Sequence, residues 1–120
     1  MSEEKIEMTS EQDEKVTQEQ IAAWKAEFGK MFKTVFGPYE FYWHPLNRKT
    51  YSEMMSDTAE IEELEDRIEE RRYQSILRSV VYPGTEEVAT VLKDKYGILN
   101  SFPDIILEKS GFYQGETSEL

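Results

Sequence analysis

The stretch KMFKTVFGPYEFYWHP, residues 30–45, constrains this chain more than any other. Phe32, Thr34 and Phe36 alternate with Met31, Lys33 and Val35, the period of a strand. Gly37-Pro38 interrupts it. Tyr39, Phe41 and Trp43 then share one face, with Glu40, Tyr42 and His44 on the other. Side chains alternate across a strand, so two aromatic strands around Gly-Pro predict a β-hairpin. A hairpin alone is marginal in water, so its aromatic face must pack on helices. Pro45 ends the second strand because it has no N–H to give a ladder.

The flanking sequence supplies those helices. TQEQIAAWKAEFG (17–29) opens on a Thr17/Gln20 capping box and places Ile21, Trp24 and Phe28 on one face. Gly29 suits the position just past its end. After the hairpin, Asn47 is an N-cap for RKTYSEMM, whose apolar side is Tyr51, Met54 and Met55, with Leu46 as a staple. Residues 56–82 read as one long helix starting at Asp57/Glu60 and stopped by Pro83-Gly84, with Ile61, Leu64, Ile68, Ile76 and Val80 on one face. Thr85 caps a helix over 85–97, with Val88, Val91, Leu92 and Tyr96 facing the core and Gly97 closing it. The last helix, 100–111, takes Ser101 as cap and Pro103 in its first turn, buries Ile105, Ile106 and Leu107, and ends at Gly111.

The expected fold is therefore a single α+β domain over residues 17–111, mainly helical, with about five helices and one β-hairpin. An acidic, disordered tail precedes it (1–16) and a flexible tail follows (112–120). Within the first tail, Ile6 and Met8 are the apolar residues that could dock on binding.

Charge narrows the partners. Asp and Glu number 25 against 14 Lys and Arg, a net charge of −11. Nucleic-acid binding relies on cations that displace counterions from phosphates, so neither nucleic acid nor an anionic membrane surface is an expected partner. No apolar run approaches the ~18 residues of a membrane span. The chain has no cysteine, which removes disulfides, thiolate metal sites and a thiol nucleophile. The N-terminus lacks the basic-then-apolar order of a signal peptide, so a cytoplasmic location is expected.

Motifs for chemistry are missing too. His44 is the only histidine and has no Glu-x-x-His or His-x-x-x-His partner. The acids Glu60, Glu62, Glu63, Glu65, Asp66, Glu69 and Glu70 lack the central Gly of a calcium loop. No phosphate-cradling or nucleophile-elbow motif occurs. The expectation is a non-enzymatic protein with no catalytic residues, no metal and no cofactor.

A protein partner remains. Tyr42 and His44 lie on the strand face opposite the aromatic core, and an exposed Tyr is a common interface anchor. Glu62, Glu63, Asp66 and Glu69 belong to an anionic arm that a basic partner would meet through long-range steering. Several of its i, i+4 pairs are like-charged, Glu62–Asp66 among them, while Glu63–Arg67 is favourable. Such an arm needs Leu64 and Ile68 docked on something to stay helical. Arg71 and Arg72 interrupt the acids and are a further candidate contact, balanced against Glu69 and Glu70 in the adjoining turns.

The order of these pieces resembles the tail assembly chaperones of tailed bacteriophages. The residues that carry the likeness are Phe41, Trp43, Pro45, Leu46, Arg48 and Tyr51, then Val80, Val81, Tyr82 and Pro83, then Pro103, Ile106, Leu107, Ser110 and Gly111. His44 stands where that pattern is often basic. The match spans roughly residues 24–112. It implies a protein that binds the long helical tape-measure protein, or another tail protein, in the host cytoplasm during tail assembly. The alternative it implies is a tail or baseplate accessory subunit retained in the virion. It adds Arg48 to the candidate contacts and leaves the oligomeric state open.

Overall fold

The computed structural model describes residues 16–113 and 115–120. The expected acidic tail, with Ile6 and Met8, lies outside the described residues up to position 15.

The described residues form five helices and one three-stranded sheet: α1 (Gln18–Phe28), β1 (Phe32–Phe36), β2 (Tyr39–Trp43), α2 (Arg48–Asp57), α3 (Leu64–Ser79), β3 (Val80–Tyr82), α4 (Thr85–Asp94) and α5 (Tyr96–Lys109). This is a small α+β domain.

Local signals set several boundaries. Thr17 Oγ1 accepts from Gln20 N–H at 3.1 Å while Gln20 Oε1 accepts from Thr17 N–H at 2.8 Å, so α1 opens on a reciprocal capping box. Gly29, at φ 90°, closes it by donating to the Lys25 carbonyl. Asn47 caps α2 through Thr50 N–H at 2.8 Å. Phe112 N–H reaches the Leu107 carbonyl and Gly111 N–H that of Glu108, the double bond of a Schellman ending. That ending sets Phe112 against Tyr51, with ring centroids 4.5 Å apart, so the last segment begins on the domain.

The hairpin forms with Phe32 opposite Trp43 and Phe36 opposite Tyr39. Its inner face carries Phe32, Thr34, Phe36, Tyr39, Phe41 and Trp43. Phe102 of α5 is fully buried against that face. Its ring lies 5.4 Å from Phe36, 5.3 Å from Phe41 and 5.8 Å from Trp43, in the tilted and edge-on arrangements that aromatic quadrupoles favour. Ile76 of α3, Val88 and Leu92 of α4, and Ile98, Leu99 and Ile106 of α5 complete the core. The Trp43 indole N–H is satisfied inside it by Thr34 Oγ1 at 2.8 Å.

Three boundaries differ from the sequence reading. Residues 56–82 are not one helix. Asp57 ends α2 rather than opening the next element, and Glu63 stands at the N-cap of α3 without a side-chain bond. The hydroxyl of buried Thr58 bonds back to the Met54 carbonyl at 2.9 Å, competing with continuation of the helix. Val80–Tyr82 then leaves the helix and pairs antiparallel with β2, giving the order β1-β2-β3. Two β-branched residues and a Tyr suit a strand better than a helix end.

The second and third differences lie at α4 and α5. Gly84, not Thr85, is the cap of α4, and Lys95 separates the two helices. Gly97 falls inside α5, and Pro103 sits well inside it rather than in its first turn. A proline there removes a backbone bond, a cost of about 3 kcal/mol in an interior position. Burial of Ile98, Leu99, Phe102 and Ile106 on one face offsets that cost.

Candidate protein-docking site

The first half of α3 projects carboxylates and apolar groups together. Leu64 is 58% and Ile68 46% exposed, among the largest exposed apolar side chains of the domain. The sequence reading required them to dock; within this chain they do not. Around them stand Glu62, Glu63, Glu65, Asp66 and Glu69, all exposed. Burying such a turn would strip water from its carboxylates without giving them partners, so the apolar residues stay outside with them. Acids in the first turn also suit the positive end of the helix dipole, which keeps the segment helical without docking.

Two shallow clefts flank this ridge. One, of about 380 Å³, is lined by Asp66, Glu69, Glu70, Tyr73 and Leu99. The other, of about 280 Å³, is lined by Glu65, Ile68, Glu69, Arg72, Tyr96, Leu99 and Asn100. Glu69 and Leu99 line both. Across the second cleft, the Tyr96 hydroxyl donates to Glu69 Oε1 at 3.2 Å. That hydrogen bond, and the charge of Glu69, raise the Tyr96 phenol above its ordinary pKa, with Arg72 opposing.

The arginines are used internally. Arg71 Nε donates to Thr58 Oγ1 at 2.8 Å and its Nη2 reaches the Met55 carbonyl at 3.4 Å, so it holds the end of α2. Arg67 gives Nη1 to the Ile61 carbonyl at 3.0 Å. Arg72 donates to the Asn100 carbonyl at 2.9 Å and lies 3.7 Å from Asp104, tying α3 to α5. Arg72 still lines the second cleft; Arg71 lines neither.

The remaining sequence candidates fall elsewhere. Arg48 is exposed on the first turn of α2. Tyr42 and His44 lie half-buried beneath α1: Trp24 sits 5.8 Å from the Tyr42 ring, and Phe28 stacks on His44 at 4.3 Å and 9°. His44 Nδ1 lies 2.8 Å from the Pro45 carbonyl, so that nitrogen carries the proton and donates. The structure thus brings Asp66, Glu69 and Arg72 together and separates Arg48, Tyr42 and His44 from them.

Leu64, Ile68, Tyr96, Leu99 and Asn100 join the site without having been read as surface contacts. A usable signal existed for two of them. Apolar residues spaced i, i+4 inside a run of carboxylates have no neighbours to bury with.

Among the described residues, no three His, Asp or Glu converge as a metal-binding group, and no helix is long and apolar enough to cross a membrane. Compared with protein families, curated proteins and solved structures, the chain matches none.

Proposed function

We propose that this chain is a non-enzymatic binding protein that takes up a basic, amphipathic helical segment of another protein during assembly of a phage tail. The observation that carries the binding reading is the exposed Leu64–Ile68 pair set among carboxylates, beside two clefts that share Leu99, the second lined by Tyr96 as well. An apolar pair rimmed by charge offers buried area at its centre and electrostatic selection at its edge. The charge is negative, so the segment it selects carries Lys or Arg beside its apolar stripe. Helix-in-groove recognition uses apolar anchors at the i, i+4 spacing of Leu64 and Ile68. The tail-assembly context is supported by the sequence resemblance. A strongly acidic partner would keep an aggregation-prone amphipathic helix in solution before it is built in.

Co-expression of the full chain with a fragment of a tape-measure protein, followed by affinity purification at low salt, tests the reading. Co-purification that weakens as salt rises is expected, because charge attraction is screened. Failure to co-purify at low salt overturns it.

A further inference from the structure

The sheet has two edges, and they differ. β3 is three residues long, pairs with β2 through an irregular register and runs into Pro83. A short strand, a bulge and a proline each keep an edge from pairing further. β1 has none of them. It is five residues long, regular along its whole register and free of proline.

The direction of its backbone groups follows from that register. The two-residue turn Gly37-Pro38 makes Phe36 and Tyr39 a hydrogen-bonded pair, and bonded and non-bonded pairs then alternate. Phe32, Thr34 and Phe36 therefore bond to β2, while the N–H and C=O groups of Lys33 and Val35 point away from it. The same alternation turns the His44 N–H to the far side of β2, where it meets the Ser79 carbonyl at 3.0 Å. Among the described residues no backbone group of another element reaches Lys33 or Val35. α1 leaves this edge open: its Trp24 lies against Tyr42 and Tyr82 on the β2–β3 side, and Val35 is 52% exposed. A lysine can also guard an edge, but Lys33 is drawn inward. Its Nζ lies 3.4 Å from Glu40 and 5.5 Å from the Tyr42 ring centre, both on β2.

We infer that β1 pairs antiparallel with β1 of a second copy about a two-fold axis at Thr34, joining two three-stranded sheets into one. The inner face of the strand reads Phe32, Thr34, Phe36, the same in both directions. Pairing about Thr34 sets that residue against its counterpart and each Phe32 against Phe36 of the second copy, matches that stabilise a sheet. Both phenylalanines are only half-buried by their own chain, so the added strand covers what the core leaves open. In the same register Lys33 stands opposite Val35 of the second copy and exchanges both backbone bonds with it. The charge of Lys33 is already answered by Glu40, so the edge itself sets up little repulsion.

Five residues a side fall well short of the roughly 20–30 of a standard interface, so the dimer is weak and driven by concentration. Each copy carries a net charge of −11, so association is opposed at low salt and tightens as salt screens that charge. This is opposite in sign to the salt response of a basic helix on the acidic ridge of α3. The two surfaces lie on different elements and stand independently.

Sedimentation velocity of the full chain, from about 10 μM to about 1 mM at low salt and in about 0.5 M NaCl, tests the pairing. A monomer–dimer equilibrium that tightens with salt is expected. Amide exchange locates the contact: the Lys33 and Val35 amides should slow several-fold as the dimer forms, whereas Thr34 is protected throughout. Val35→Pro removes an outward N–H and no bond to β2, so it should keep the fold and abolish the dimer. Val35→Lys keeps that N–H but sets a lysine opposite Lys33 in both pairs, and should weaken association about tenfold. The lysine variant carries the test where proline disturbs the strand. A chain that stays monomeric up to about 1 mM in both salts overturns the inference and leaves the edge to a strand of another protein. So does a dimer that forms without slowing Lys33 and Val35 exchange, or one that the folded variants retain at full strength.

Discussion

Arg71 closes the end of a neighbouring helix: its Nε donates to the hydroxyl of buried Thr58 at 2.8 Å, and that hydroxyl in turn donates to the Met54 carbonyl. One side chain on α3 thus fixes where α2 stops and where the chain reverses. Removing Arg71 takes the charged donor from a buried hydroxyl that keeps its own bond to the Met54 carbonyl, and a hydrogen bond to a charged group is worth about 1.5–3 kcal/mol. Arg71→Ala should lower the urea midpoint accordingly, with an unchanged slope. A midpoint that does not move would show that the Arg71–Thr58 bond adds nothing to stability.

Phe102 is the contact shared by the sheet and the helices. It meets Phe36, Phe41 and Trp43 and is fully buried. Phe→Ala in such a core costs about 3–5 kcal/mol, a large part of the ~5–15 kcal/mol that holds a domain together. Phe102→Ala should be largely unfolded at 37 °C by near-UV circular dichroism, while Phe102→Leu should stay folded with a lowered melting point. Near-UV signals for the alanine variant that match the unaltered protein would disprove the hub role.

The parts of the fold legible in the sequence are those decided locally. The Thr17/Gln20 box, the alternation around Gly37-Pro38 and the Asn47 cap each rest on residues a few positions apart. The parts that were not legible rest on distant residues. α2 and α3 separate where Arg71 and Arg67 reach back to the turn between them. Val80–Tyr82 becomes a strand because β2 offers it an edge. α5 runs through Pro103 because Ile98, Phe102 and Ile106 must share one buried face. At the docking site the acidic run was plain in the sequence, but the clefts need Leu99 and Tyr96 from another helix.

The Tyr96–Glu69 hydrogen bond gives a pH signature for the second cleft. The phenol must keep its proton to donate, so its pKa is raised in the folded protein. A raised pKa means that this contribution is fully present below the unfolded-state value near 10.0 and is lost as pH rises through the folded value. Glu69→Gln removes the charge that favours the protonated phenol. Tyrosinate absorbance of the variant, read as a difference against the unaltered protein, should show one tyrosine of the seven titrating at lower pH. Identical titration curves would mean that Glu69 and Tyr96 do not meet across the cleft.

Stability and binding should separate on the ridge of α3. Leu64 and Ile68 are solvent-facing, so Leu64→Ser/Ile68→Ser removes little buried area and should move the melting point by only a few degrees, because an exposed change is worth roughly half a kcal/mol. Reversing Glu62, Glu63, Asp66 and Glu69 to Lys also leaves the core untouched, although Asp66 lies in the first turn of α3, where an acid is worth about 0.3–1 kcal/mol. Both variants should lose the basic helical partner in pull-down. They should differ in salt response: the serine pair keeps the salt dependence of whatever binding remains, whereas the lysine set loses it. Partner capture by both variants at the level of the unaltered protein would reduce the ridge to a solvated helix face. A large drop in melting point for the serine pair would mean instead that Leu64 and Ile68 are held by the chain itself.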